Sequence, residues 1–407
     1  MKVAIVGVVW LGASLALGMY SAPLLHAQTG ETAADEAREA GNRPVAFVYV
    51  SSTNTYADQI NAFSAAYNGK LTPVPGTPFA GNVYDMAVNG KYLFANGTDG
   101  FTISSFRIGS NGALTQVATL NTQTDPNTVG CPGLRSLELD HTGSTLYDSL
   151  YTGDVCDESS FHSFSIAKAT GKLTDLGNPT PAETAFSGAI RFTGNNGFSY
   201  GASCNYYKTG NLSYILGFKR NPDGSLSQVL NSNAEPALTF PRFYCPLMTA
   251  ADPANHVVIG MQEMDINNPF TPIGPPRLAI YTADGSGNLT TSSTAVNMTS
   301  TNTGTVADLR FSPAGKVLAI AGNGVELFHY YGTAHSMQYF TRVAPTETFN
   351  QVLWDNENHL YALAVQSEKL YVYTVTDHSV VPAPGSPFSI ADPKYMIVQP
   401  GTAVPEI

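Results

Sequence analysis

Two stretches of the chain carry nearly the same phrase: LTPVPGTPFA runs from Leu71 to Ala80, and VVPAPGSPFS from Val380 to Ser389. The shared pattern, Pro-x-Pro-Gly-[Thr/Ser]-Pro-Phe, is compositionally odd and matches without a gap across a separation of 309 residues. Such a recurrence signals internal repetition, and a repeat period constrains architecture more than any single motif. Turns reading Gly-x-Leu-[Thr/Ser] begin at Gly69, Gly112, Gly171, Gly224 and Gly287. Each follows a segment of alternating polarity, such as TISSFRI, SFHSFSI, SYILGFK or RLAIYTA. Two later segments, LFHYYGTAHSMQYF and LYVYTVTDHSVVPA, keep the strands and lose the turn. Six periods between the twin phrases give a repeat of about 51 residues.

One period reads as four short strands. YDMAV, ADLRF and NQVLW exemplify the first, YLFANG, VLAIAG and HLYALAV the second, and the third and fourth flank the Gly-Leu turn. Alternation at period two between turn residues is the strand signature. Four strands at a fixed period describe a propeller blade. First strands begin near Tyr84, Leu134, Ser187, Pro246, Ala307 and Asn350. KYMIVQP from Lys394 is a first strand with no blade after it, and VAFVYVSS from Val45 is a second strand with none before it. Joining the two leaves no open sheet edge. The expectation is therefore an all-β, seven-bladed propeller of four-stranded antiparallel blades, closed by the C-terminal strand. The twin phrases then fall on outer strands either side of that seam.

Composition agrees with many strands and turns. Only 13% of residues are charged, while Gly numbers 37 and Pro 26. The formal net charge of −11 argues against nucleic acid or an anionic membrane surface as a partner. Lys2 followed by VAIVGVVWLGASLALGMY, with Ala27 before Gln28, reads as an export signal removed after residue 27; retention as an anchor is the alternative. The expected organisation is a signal peptide at 1–27, a polar tether at 28–44, the propeller at 45–400 and a tail at 401–407. The mature chain is expected to be exported, periplasmic or extracellular, monomeric and without a membrane span.

The segments SPAGKVLAIAGNG and LDHTGSTLY resemble the Pro-Asp-Gly-[Lys/Arg]-x-Leu-Tyr hairpins of seven-bladed lactonase-type propellers, the family of propeller 6-phosphogluconolactonase and carboxymuconate cyclase. The resemblance spans roughly Val45 to Pro400. It implies lactone chemistry from a His on blade 3, an Arg and a Glu on blade 5, and an Arg on blade 6. At those positions this chain has Arg135, Leu247, Glu263 and Asn323. Glu263 alone keeps the family residue type.

Lactone opening needs a base for water and a cation for the developing oxyanion. Glu263 is the candidate base, with Arg135 or Arg242 as the cation; Arg135 cannot itself be a base, because guanidinium stays protonated. Asp154, Tyr206, Tyr207 and Asp265 lie in the long loops SLYTGDVCDESS, SCNYYKTGN and QEMDINNPFTPIGPP, expected on the same face and suited to a sugar-like or lactone ligand. Glu138, Arg191 and Arg310 share one register on first strands, either as a polar ring in the central channel or as ties between blades. Four cysteines in an exported chain imply disulfides. Cys131–Cys156 with Cys204–Cys245 is the preferred pairing, and Cys156–Cys204 is the alternative. No metal or cofactor is expected, since neither a ligand spacing nor a phosphate loop is present. Two functions remain open: a ligand- or partner-binding protein with a degenerate hydrolase site, or an active lactonase using Glu263.

Overall fold

The structure is a computed structural model that describes residues 43–53, 58–122, 136–152, 158–177, 180–181, 189–205, 212–232 and 236–401. The proposed leader and almost all of the tether lie outside them. Within Pro44–Ile407, the described residues form seven antiparallel sheets and contain no α-helix.

Blade 1 pairs Pro393–Pro400, as inner strand, with Ala46–Thr53, so the last strand of the chain completes the first blade. The inner strands of blades 2 to 7 are Met86–Val88, Leu137–Leu139, Arg191–Phe192, Arg242–Ala251, Asp308–Phe311 and Gln351–Trp354. In blade 6 the segment Val317–Tyr331 supplies both middle strands. It folds back at Asn323-Gly324, and Tyr330 N donates to Lys316 O at 2.8 Å.

The twin phrases occupy the expected places. In blade 1 the outer strand is broken into Leu71–Pro73 and Phe79–Ala80, both paired with Asp58–Ala65. In blade 7 Val380–Pro382 and Phe388–Ser389 pair with Lys369–Val375 in the same way. Where proline interrupts the ladder, a hydroxyl replaces the missing acceptor. Ala62 N donates to Thr77 Oγ1 at 2.8 Å, and Val372 N to Ser386 Oγ at 2.9 Å. That is the physical reason for Thr or Ser at this position of the phrase, because an unpaired buried N–H is costly. The two blades pack through Val48, Val50 and Leu71 against Tyr361, Leu370 and Val372, so the seam is an ordinary core interface.

The Gly-x-Leu turn also has a cause. In four blades a second-strand tyrosine reaches the turn of the next blade: Tyr49 to Gly112 O (3.0 Å), Tyr92 to Ala169 O (2.7 Å), Tyr147 to Gly224 O (2.7 Å) and Tyr200 to Gly287 O (2.9 Å). At Gly112 the backbone φ is +83°, and a Cβ would stand 2.4 Å from Phe47. Both the left-handed conformation and the close approach demand glycine there. Each such tyrosine buries its ring, worth roughly 2–3 kcal/mol by area, and satisfies its hydroxyl on the neighbouring blade.

Candidate functional site

Alternation along the inner strands delivers two layers of side chains to the channel. Tyr395, Asp85, Asp308 and Gln351 belong to one layer, and Glu138, Arg191 and Arg310, two residues further along their strands, to the next. Together they bound a cavity of about 530 Å³, within the range of small-ligand sites. Tyr84, Asn350 and Val365, which flank strand ends on one face, also line it. The cavity therefore reaches the face that carries the connections into first strands and from second to third strands.

The shared register of Glu138, Arg191 and Arg310 places all three in the channel, and two of them also tie blades. Arg191 Nη1 donates to Glu138 Oε2 of blade 3, and its Nη2 lies 3.7 Å from Asp308 Oδ1 of blade 6. Arg310 Nε stands 3.5 Å from the same Asp308. Asp308 further accepts Leu309 N at 2.9 Å and Val352 N of blade 7 at 3.2 Å. Asp85 repeats that geometry, accepting Met86 N at 2.7 Å and Leu137 N of blade 3 at 3.0 Å. Gln351 Oε1 does the equivalent for Met396 N of blade 1 at 2.7 Å.

Electrostatics single out Asp85 and the two arginines. Burial pushes the Asp85 carboxyl up to about 7, with Glu138 adding to the rise, while its two backbone donors and Arg191 pull the other way. Arg191 is lowered by burial and by the nearby charge of Arg310. For Arg310 burial acts in the lowering direction, but Asp308 and Glu138 outweigh it and hold the group above its ordinary value. Asp85 and Asp308 were not singled out as site residues from sequence. The available signal was an acid at the same place in YDMAV and ADLRF.

The second candidate region is the projecting edge of blade 5. QEMDINNPFTPIGPP, read above as a loop, instead continues the ladder: His256–Asp265 turns at Ile266-Asn267 into Asn268–Ala283. The inner strand extends equally far, back to Arg242, so RFYCP is strand as well. Arg242 and Glu263 are diagonal neighbours on adjacent strands, and Arg242 Nη1 donates to Glu263 Oε1 at 2.9 Å. The Glu263 side chain is 10% exposed and that of Arg242 55%. Neither lines the channel cavity. Asp265 accepts Asn267 N at 2.8 Å and fixes the turn.

The disulfide Cys204–Cys245 is formed, joining the second strand of blade 4 to the inner strand of blade 5 on this face. Arg135, Asp154, Tyr206, Tyr207, Cys131 and Cys156 lie outside the described residues. Leu247 packs against the cluster holding Ala250, Val258 and Leu278, which no cation could join without desolvation. Asn323 caps the blade 6 hairpin, and its carbonyl oxygen accepts Arg342 Nε at 3.1 Å. Arg342 thus brings a cation to that corner from the outer strand, a placement the sequence pattern did not suggest.

No protein-family model matches the chain, and no curated protein does either. Solved structures do. A Bacteroides uniformis protein provisionally named 6-phosphogluconolactonase superposes with a TM-score of 0.62 at 16% identity, covering 88% of this chain and 100% of its own. The periplasmic gluconolactonase of Pseudomonas aeruginosa gives a TM-score of 0.60 at 12% identity, over 87% and 99% of the two chains. The fold is that of the lactonase-type propellers. The chain shares the seven-blade ring with these proteins, and at such identities the likeness reaches the fold alone.

Proposed function

We propose that the chain is an exported lactonase-type propeller that binds a small polar ligand at its connection-rich face, with a hydrolase site that has degenerated. The observation that carries this reading is the state of the three family positions that fall among the described residues. Leu247 sits in an apolar cluster, Asn323 forms a turn, and Glu263 has Oε1 committed to Arg242 and does not reach the channel. A base that must take a proton from water needs an open lone pair facing substrate. Export is supported by the leader-like first 27 residues and by the Cys204–Cys245 bond, since disulfides persist in oxidising compartments. The acidic balance argues against nucleic acid or an anionic membrane surface as the partner, and no helix among the described residues is long and apolar enough to cross a membrane.

One observation favours the alternative of an active lactonase. Arg242 stands beside Glu263, pairing a carboxylate with a cation that could hold an oxyanion. The names of the Bacteroides and Pseudomonas proteins point the same way. A pH-stat assay against sugar and aliphatic lactones separates the two readings. We expect no proton release above the uncatalysed rate. Release that Glu263→Gln abolishes would replace binding by catalysis.

A further inference from the structure

We infer that His256 and His335 form a two-imidazole site for a late first-row divalent metal ion, Cu2+ above all, where blades 5 and 6 meet on the face opposite the connection-rich one. None of its residues belongs to the channel cavity or to the Arg242–Glu263 edge.

A break in the repeat locates the site. In blades 1, 4 and 7 a ring early on the second strand packs against the turn between third and fourth strands of the next blade: Phe47 on Gly112, Phe198 on Gly287 and His359 on Gly69. Blade 6 has lost the Gly-x-Leu turn. Between Val317–Tyr331 and Ser336–Thr348 the chain instead runs through a 3₁₀ turn, Gly332–Ala334, which His335 caps. His256 of blade 5 keeps the packing position, with its ring 3.1 Å from where a Cβ on Gly332 would stand. The altered turn sets a second imidazole against it: the ring centroids of His256 and His335 are 5.5 Å apart, with their planes at 70°. At the turn facing His359 the neighbours are Ala383 and Val372. His335 holds its place with a left-handed backbone, φ +45°, a conformation that is costly for a residue with a Cβ and that gathers at functional positions.

The chemistry of the pair points to a metal. Nitrogens each about 2.0–2.1 Å from one ion put their ring centroids roughly 4.5–6 Å apart, and the observed separation falls inside that range. His256 Nδ1 lies 2.7 Å from Asp252 Oδ2. A carboxylate there accepts, so Nδ1 carries the proton and the neutral ring has its lone pair on Nε2. That is the carboxylate–histidine pairing that orients imidazole ligands of metals. His335 Nε2 stands 3.3 Å from Thr282 Oγ1, and neither His256 Nε2 nor His335 Nδ1 has a hydrogen-bond partner among the described residues. Tyr330, its ring 6.2 Å from that of His256, adds a buried hydroxyl that is likewise unpaired among them.

Exposure and ligand count set the kind of site. His335 is exposed and the His256 side chain is 14% exposed, so a hydrated ion reaches both. No group of three or more His, Cys, Asp or Glu side chains is placed to hold a metal among the described residues. Water therefore completes the coordination, and the ion exchanges with solvent. Imidazole suits copper, nickel and zinc, and affinity along the first-row series peaks at Cu2+.

Isothermal titration of the full chain with CuCl2, and with ZnCl2 and MgCl2 alongside, tests this directly. The first equivalent of copper should bind with an electron paramagnetic resonance spectrum that shows coupling to two imidazole nitrogens. Zinc should bind more weakly and magnesium not at all. His335→Asn should weaken copper at least tenfold. Asparagine tolerates left-handed backbone, so this variant is expected to fold, and a circular dichroism melt checks it. Asp252→Asn, which keeps both imidazoles and removes the carboxylate charge behind one, should weaken copper by about tenfold. His378→Asn, at an exposed imidazole of blade 7, should leave it within twofold. Absence of copper binding, an equal loss in His378→Asn, or an undiminished affinity in folded His335→Asn would each overturn the inference.

Discussion

Asp355 in blade 7 and Asp85 in blade 2 are both buried carboxyls in one ring, yet their surroundings treat them differently. Asp355, fully buried, accepts the backbone N–H groups of Glu357 and His359, each at 2.9 Å, and the Tyr361 hydroxyl at 2.8 Å; His359 Nδ1 lies 2.8 Å away. Asp85 has two backbone donors only, and a second carboxylate, Glu138, as a charged neighbour. The first group is enclosed by partners that serve the turn it stabilises. The second borders a cavity and holds its proton to about pH 7, the condition of a group left available to something else. Burial alone does not distinguish a structural acid from a site acid; the count and charge of its partners do.

The largest way to break that contrast is Asp355→Ala. It strips acceptors from two backbone amides, an imidazole and a phenol inside the blade, and should cost about 3–5 kcal/mol. Urea denaturation of the purified chain measures it. A loss below about 1 kcal/mol would mean that water or relaxation satisfies those donors, and that the partner count decides little.

Asp85 sharpens the contrast through pH. Its folded value of about 7 lies above the roughly 3.9 of an unfolded aspartate, so folding favours the protonated group. The stability this lends is complete below about pH 4 and drains away as pH rises, until it is gone at the folded value. On the order of 2–3 kcal/mol of the loss should fall between pH 5 and 8. Asp85→Asn cannot ionise, and it gives up one backbone acceptor in exchange. Relative to the parent chain it should therefore look less stable, or equal, at pH 5 and more stable at pH 8. Urea midpoints that move in parallel for both proteins would show that Asp85 is ionised throughout.

How much of this was legible in the sequence follows from what periodicity records. Period-two alternation and a fixed repeat carry strand number, blade number and the closing role of Lys394–Pro400, because each follows from local spacing. The same register placed Glu138, Arg191 and Arg310 at equivalent depths. It could not say that Arg191 reaches Asp308, since blades 4 and 6 meet only across the channel and no spacing along the chain encodes that distance. QEMDINNPFTPIGPP misled for a related reason. Its prolines and asparagines are turn residues by composition, yet blade 5 uses them in a ladder whose pairing with His256–Asp265 shifts register twice. An irregular projecting strand tolerates proline, where a central one would not.

The smallest expected effect concerns the Arg242–Glu263 pair, the third kind of carboxylate in this protein. Glu263 is nearly covered, but its partner is more than half exposed, so water screens the attraction and can take the place of either group. Glu263→Gln should change unfolding stability by less than about 1 kcal/mol, well short of Asp355→Ala. The ordering matters more than the individual values. If Glu263→Gln destabilised the fold as strongly as Asp355→Ala, the blade 5 edge would have to be counted as core, and a role for it in ligand binding at the rim would lose its main support. If the substitution stabilised the fold by a measurable margin, Glu263 would be a residue held at a cost to folding, as functional groups often are, and the lactonase reading would gain ground over the binding one.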